Sequence, residues 1–159
     1  MQSNLKNGPA GFLRATYFML ALLFASILPV HAVAQAGESS EWLPGLLEKE
    51  KLTVVITDSG LGGLSVVADA AVKFQQNPVF KEVDLVFANA LFSDQGGYNS
   101  LSREEKLKVF SSALQSMVDR YSPDIILVAC NTLSVLIPDT EFAATSAVPV
   151  VGIVENGVE

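Results

Sequence analysis

Four short runs of β-branched and apolar residues recur along this chain, at Leu52–Thr57, Val83–Ala88, Asp124–Ala129 and Val148–Val154. Helix-length segments separate them, and that alternation restricts the fold more than any other feature of the sequence. Leu64–Phe74 follows the first run as a helix of small and apolar residues. Ser102 to Tyr121 repeats Leu107, Phe110, Leu114, Met117, Val118 and Tyr121 at helical spacing and opens on a Ser102/Glu105 capping box, with Pro123 as its stop. A short helix is expected over Leu133–Ile137. The order is β-α-β-α-β-α-β. Strands this apolar are buried on both faces, and parallel strands need crossovers, so the expected architecture is an open, mostly parallel α/β sheet with helices on both faces, of the flavodoxin-like kind.

The ends of the chain read differently. Residues 1–36 carry Lys6 and Arg14 but no acid, then an apolar run from Ala15 to Val30, then the small-x-small sites Ala32-Val33-Ala34 and Ala34-Gln35-Ala36. This is the pattern of a signal peptide cleaved after Ala34 or Ala36, and it implies export, to the periplasm in a Gram-negative source. The apolar run is shorter than the ~20 residues that span a bilayer, so no stable membrane anchor is expected after cleavage. Residues 37–50 read as a linker with a short, weak helix, and residues 51–159 as the α/β domain.

Charge and reactive-residue content narrow the function. The chain has a formal charge of −7 and no cluster of Lys or Arg, so no nucleic-acid partner is expected. It has one cysteine and one histidine, which excludes an internal disulfide framework, a cysteine-rich zinc site and an iron–sulfur cluster. The histidine, His31, lies in the leader. A chain without it cannot run a Ser-His-Asp triad or a Cys-His dyad, and proton chemistry falls to carboxylates, lysine, tyrosine and Cys130.

In an open parallel sheet the ligand site lies at the carboxyl ends of the strands. Two polar segments arrive there. Asp58-Ser59-Gly60-Leu61-Gly62-Gly63 follows the first strand, and its glycines let backbone N–H groups approach a carboxylate or phosphate at the next helix. It is neither a Walker loop nor a dinucleotide fingerprint, because the lysine and the glycine spacing are absent. Cys130-Asn131-Thr132 follows the third strand. Cysteine often serves as a small buried hydrophobe, but here it is followed at once by two hydrogen-bonding side chains, which points to a site. A free thiol is a few per cent thiolate at neutral pH, and Asp58 on the neighbouring strand end is placed to accept or orient its proton.

Taken together, these segments resemble the aspartate/glutamate racemase family, and within it the amino-terminal half of the glutamate-specific members. Asp58-Ser-Gly-Leu-Gly-Gly-Leu-Ser-Val66 is similar to the family's D-S-G-x-G-G-L-S-V, Ala129-Cys-Asn-Thr132 to its A-C-N-T, and Val148-Pro-Val-Val-Gly-Ile-Val-Glu155 to its V-P-V-x-G-x-x-E. The resemblance covers nearly all of residues 51–159. It implies that Cys130 donates and accepts the substrate α-proton with Asp58 assisting, and that Ser59, Asn131 and Thr132 hold the amino and carboxylate groups. Tyr98 and Asn99 fall in the substrate loop where glutamate racemases have P-Y-G, with Asn99 in the glycine position. The implied ligand is therefore a small acidic amino acid or dicarboxylate. No metal and no organic cofactor are implied.

The family's members are two similar halves facing each other across the substrate, with a second cysteine from the second half. This sequence matches one half and holds one cysteine. The expectation is a cofactor-independent amino-acid racemase that is a fragment, inactive alone, and that self-associates or needs the second half. The alternative is a non-catalytic remnant or a binding domain for dicarboxylates or amino acids.

Overall fold

The computed structural model describes residues 42–90 and 97–153. The signal-peptide reading, most of the Asn89–Leu101 loop's first half and the match at Glu155 lie outside these residues. The chain enters as a short helix, α1 (Leu43–Leu47), whose Leu46 is buried in the core although it sits in the stretch read as a linker. It continues as β1 (Lys51–Asp58), α2 (Gly63–Gln76), β2 (Glu82–Asn89), a 3-10 turn at Tyr98–Ser100, α3 (Arg103–Tyr121) and β3 (Ile125–Val128). Then come α4 (Asn131–Ser134), a 3-10 turn at Ile137–Asp139, α5 (Glu141–Thr145) and β4 (Val150–Gly152).

All pairings are parallel, in the order β2-β1-β3-β4. The expected α/β sheet with helices on both faces is therefore present. Its two faces follow from the period of two along each strand. Leu52, Val54 and Ile56 of β1 join Ile125 and Leu127 of β3 under Ala70 and Phe74 of α2. The alternate residues Val55, Ile126 and Val128 pack under Phe110, Leu114 and Met117 of α3. Full burial of side chains of this size is worth roughly 1.5–3 kcal/mol each. β3 is thus apolar and buried throughout and β1 is buried from Val54 to its end, whereas the edge strand β2 is only half-buried.

The capping box forms as the sequence predicts: Glu105 N–H donates to Ser102 Oγ (3.3 Å) and Ser102 N–H donates to Glu105 Oε2 (2.8 Å). That backbone N–H holds the Glu105 carboxyl below its usual range. Two expectations change. The fourth strand is three residues long, not seven, and Pro149 sits just before it. The connection from β3 to β4 holds two one-turn helices and a 3-10 turn where a single helix over Leu133–Ile137 was expected. Pro138 sits in the first turn of the 3-10 segment, and Thr140 then caps a new helix by accepting from Ala143 N–H at 3.1 Å. The register of that helix is fixed by one buried anchor, Phe142, which apolar periodicity over so few residues does not reveal.

The α2 crossover runs over one face and the α3 crossover over the other, and the strand order reverses between β1 and β3. This is the topological switch point, the place outside the strands' carboxyl ends where open α/β sheets bind their ligands.

Candidate functional site

Asp58 is the last residue of β1 and is buried. Its carboxylate turns back onto its own chain: Gly63 N–H donates to Oδ2 at 2.6 Å and Gly60 N–H to Oδ1 at 3.2 Å. It is the anion at the amino end of α2, where unpaired N–H groups and the helix dipole favour negative charge. The glycine turn expected to seat a ligand's carboxylate or phosphate is therefore already filled by a carboxylate of the protein. Gly63 also has to be glycine. A Cβ there would lie 2.9 Å from the Phe87 ring and 3.1 Å from Asp58 Cβ. Leu61 and Leu64 of the same turn point outward, 64% and 48% exposed.

Ser59 is one residue further on, so the strand alternation sends its side chain to the other side. There its Oγ lies 3.1 Å from Cys130 Sγ. Cys130 follows β3, is buried and is the N-cap position of α4, with no side-chain cap bond to the helix. Its thiol is thus not spent on the backbone as the Asp58 carboxylate is. The hydroxyl–thiol pair joins the two strands flanking the switch point. Once the thiol loses its proton it can only accept, so Ser59 must then donate.

Tyr98 belongs to the same buried cluster as Cys130, Ala90 and Phe110. Its ring stands edge-on to Phe110 (centroids 6.4 Å, 89°) and its hydroxyl donates to the Ala90 carbonyl at 3.2 Å. Burial, and after it the charge of the neighbouring Cys130 thiolate, push the Tyr98 hydroxyl well above the ordinary phenol range. Tyr98 therefore forms a wall beside the thiol. Its tip is held inside the protein. Asn99, next to it, is exposed on the 3-10 turn and makes no hydrogen bond to the other site residues. Asn131 and Thr132 are exposed in the first turn of α4, directly after Cys130, with their side chains open to a ligand.

The structure brings Ser59, Cys130 and Tyr98 together and sets Asn131 and Thr132 beside them. Asp58 is adjacent in sequence but engaged elsewhere. Two residues were not foreseen. Thr57 is wholly buried, and its Oγ1 has no hydrogen-bond partner among the described residues; such an orphan costs roughly 1–3 kcal/mol. Ser134 is buried with its Oγ 2.7 Å from the Cys130 carbonyl. No local pattern marks either residue, although the strand alternation applied to Thr57 and Ser59 puts both on the Cys130 side. Among the described residues no group of three His, Cys, Asp or Glu side chains is arranged to hold a metal ion, and no helix is long and apolar enough to cross a membrane.

Comparison with known proteins finds glutamate racemases. That of Vibrio vulnificus (strain CMCP6) is 36% identical over 103 residues, which is 64% of this chain and 35% of the relative. That of Aliivibrio salmonicida (strain LFI1238) is 35% identical over 101 residues, with the same two shares. That of Brucella anthropi is 32% identical over 101 residues, 64% of this chain and 34% of the relative. The chain thus spans about a third of the length of the curated relatives it matches. No family model matches it, and no solved structure does. The chain resembles part of glutamate racemase, and over that part it is racemase-like.

Proposed function

We propose that this chain forms one wall of a cofactor-independent amino-acid racemase site in which the Cys130 thiolate takes and returns the α-proton of a small acidic amino acid, with glutamate as the first candidate. The observation that carries the reading is the 3.1 Å contact between Ser59 Oγ and Cys130 Sγ at the switch point of the sheet, in a chain whose matched relatives are glutamate racemases. A hydroxyl donating to sulfur stabilises the thiolate, which is the form that accepts a carbon-bound proton. The exposed Asn131 and Thr132 side chains supply hydrogen bonds for the substrate's carboxylate and amino groups. Tyr98 closes the apolar side and keeps water from the sulfur.

Inversion needs one group to remove the proton from one face and another to deliver a proton to the opposite face. Cys130 provides one of these. In this reading the second comes from a facing surface, and without it the chain binds the substrate and exchanges the α-proton on one face at most. The amino-terminal pattern adds export, so that an unpaired thiol works where oxidation to sulfenic acid threatens it.

The test is the rate at which iodoacetamide alkylates Cys130 in the folded chain, under freshly removed reductant, with and without L- and D-glutamate, alongside α-deuterium incorporation into glutamate in D2O. The expected result is alkylation of the native protein, slowed by glutamate, and any deuterium incorporation lost in Cys130→Ser. Protection without incorporation would favour the binding-domain alternative. A thiol that reacts only on unfolding, or that acidic amino acids leave unprotected, overturns the site.

A further inference from the structure

We infer that Ser134 is a positioning residue for the Cys130 thiol, tying the carboxyl end of β4 to the backbone of Cys130 and so holding the sulfur against Ser59. Ser134 is 2% exposed and lies one helical turn after Cys130. Its Oγ–H donates to the Cys130 carbonyl at 2.7 Å, with the Val128 carbonyl as the second acceptor in reach at 3.3 Å. Its oxygen accepts from Ile153 N–H at 3.1 Å. One hydroxyl thus connects the residue that bears the thiol with the first residue beyond β4.

The close approach this requires is built into β4. Gly152 is the last residue of the strand, and a Cβ on it would come within 2.7 Å of both Ser134 Cβ and Ser134 Oγ and within 3.0 Å of Ile137 Cδ1. Glycine at 152 lets α4 settle on the strand. Serine at 134, the smallest residue with a hydroxyl, then fills the gap with a hydrogen bond to each side.

The bonds that remain without the hydroxyl separate positioning from folding. The Cys130 carbonyl also accepts from Ser134 N–H at 2.9 Å, and Ile153 N–H also donates to the Val128 carbonyl at 3.2 Å. Removing Oγ therefore leaves no buried group unpaired, and the fold keeps its ladder. The tie between β4 and Cys130 is lost, and with it the second point that fixes the strand-to-helix bend from which the sulfur projects. A reactive group held by one fewer anchor samples positions away from Ser59, and geometry at such sites is sensitive to small displacements.

This inference rests on the reading of Cys130 as the reacting group, and the experiment separates the two. The iodoacetamide rate at neutral pH and the thermal midpoint are measured on the full chain for the native sequence, Ser59→Ala, Ser134→Ala and the double variant. Native alkylation at Cys130 tests the proposed function by itself. Given that reactivity, Ser134→Ala is expected to keep its thermal midpoint within a few degrees and to lose about threefold or more in rate. Ser59→Ala should lose a similar factor, and the double variant should lose no more than the larger single one, because both substitutions break the same thiol–hydroxyl contact. An unchanged rate in Ser134→Ala, additive losses in the double variant, or collapse of the fold in Ser134→Ala would each overturn the inference and leave Ser134 a packing residue.

Discussion

The turns that follow β1 and β3 lie side by side at the carboxyl edge of one sheet, yet they use their reactive groups in opposite ways. After β1, the Asp58 carboxylate is consumed by the backbone: two N–H groups of its own turn donate to it, and it sits at the head of a 14-residue helix. After β3, the Cys130 side chain caps nothing, and its contact is a hydroxyl from the other turn. The first turn holds its helix with a charge and faces solvent with Leu61 and Leu64. The second leaves its thiol without a bond to the backbone of its helix. A carboxylate and a cysteine that two motifs place at neighbouring strand ends are therefore not, by that alone, a proton-transfer pair; what matters is which donors have already claimed the carboxylate. The opposite edge of the sheet shows the same thing. There Asp124 accepts Thr53 N–H at 2.8 Å and pairs with Lys49 at 2.6 Å, and the Asp84 and Glu82 carboxylates hold the exposed Lys51 ammonium above its usual range. These acids also serve the framework.

The comparison breaks most visibly at Asp58. Asp58→Ala strands the buried Gly63 N–H and the half-buried Gly60 N–H, and is expected to cost about 2–4 kcal/mol in urea-induced unfolding. Asp58→Asn keeps an acceptor and should cost roughly half as much, with iodoacetamide labelling of Cys130 within about twofold of the native rate, since the native carboxylate makes no hydrogen bond to the thiol. A large change in labelling in Asp58→Asn, with the fold intact, would restore Asp58 to the assisting role that the family resemblance implies and would dissolve the contrast between the two turns.

A smaller effect is expected at Tyr98. Tyr98→Phe removes the bond to the Ala90 carbonyl and should cost about 1 kcal/mol. It should also change the alkaline limb of stability. The fold raises the Tyr98 hydroxyl's pKa, so the neutral form is favoured in the native state. That contribution is complete below the unfolded phenol value of about 10 and is lost as pH rises above it. Denaturation curves measured either side of pH 10 should show the native protein losing more stability than Tyr98→Phe does. Equal losses would mean that the tyrosine tip is not enclosed beside the thiol.

The smallest effect on stability belongs to Cys130 itself. Cys130→Ser retains a polar atom opposite Ser59 and should cost about 1 kcal/mol or less in the same unfolding assay, although every thiol-dependent reaction disappears. If this substitution costs as much as Asp58→Ala, then both turns are framework and the thiol is a core residue.

Much of this was legible in the residues. β-branched runs separated by helical periodicity determined a parallel sheet covered on both faces, because no other arrangement buries strands that are apolar on both sides. Ser102 and Glu105 determined where α3 starts, since a capping box is satisfied within four residues. The location of Asp58–Ser59 and Cys130–Thr132 at strand ends also followed from the sequence. Tertiary structure decided the partners. Ser59 and Cys130 are 71 residues apart and meet only because β1 and β3 are neighbours, with alternation turning Ser59, and not Asp58, toward the sulfur. Tyr98 is buried because α3 covers it, and Ser134 reaches Ile153 only because Gly152 lets a helix and a strand come that close. Backbone patterns are satisfied locally and can be read from sequence; a side chain's hydrogen-bond partner depends on which donor the completed fold brings nearest.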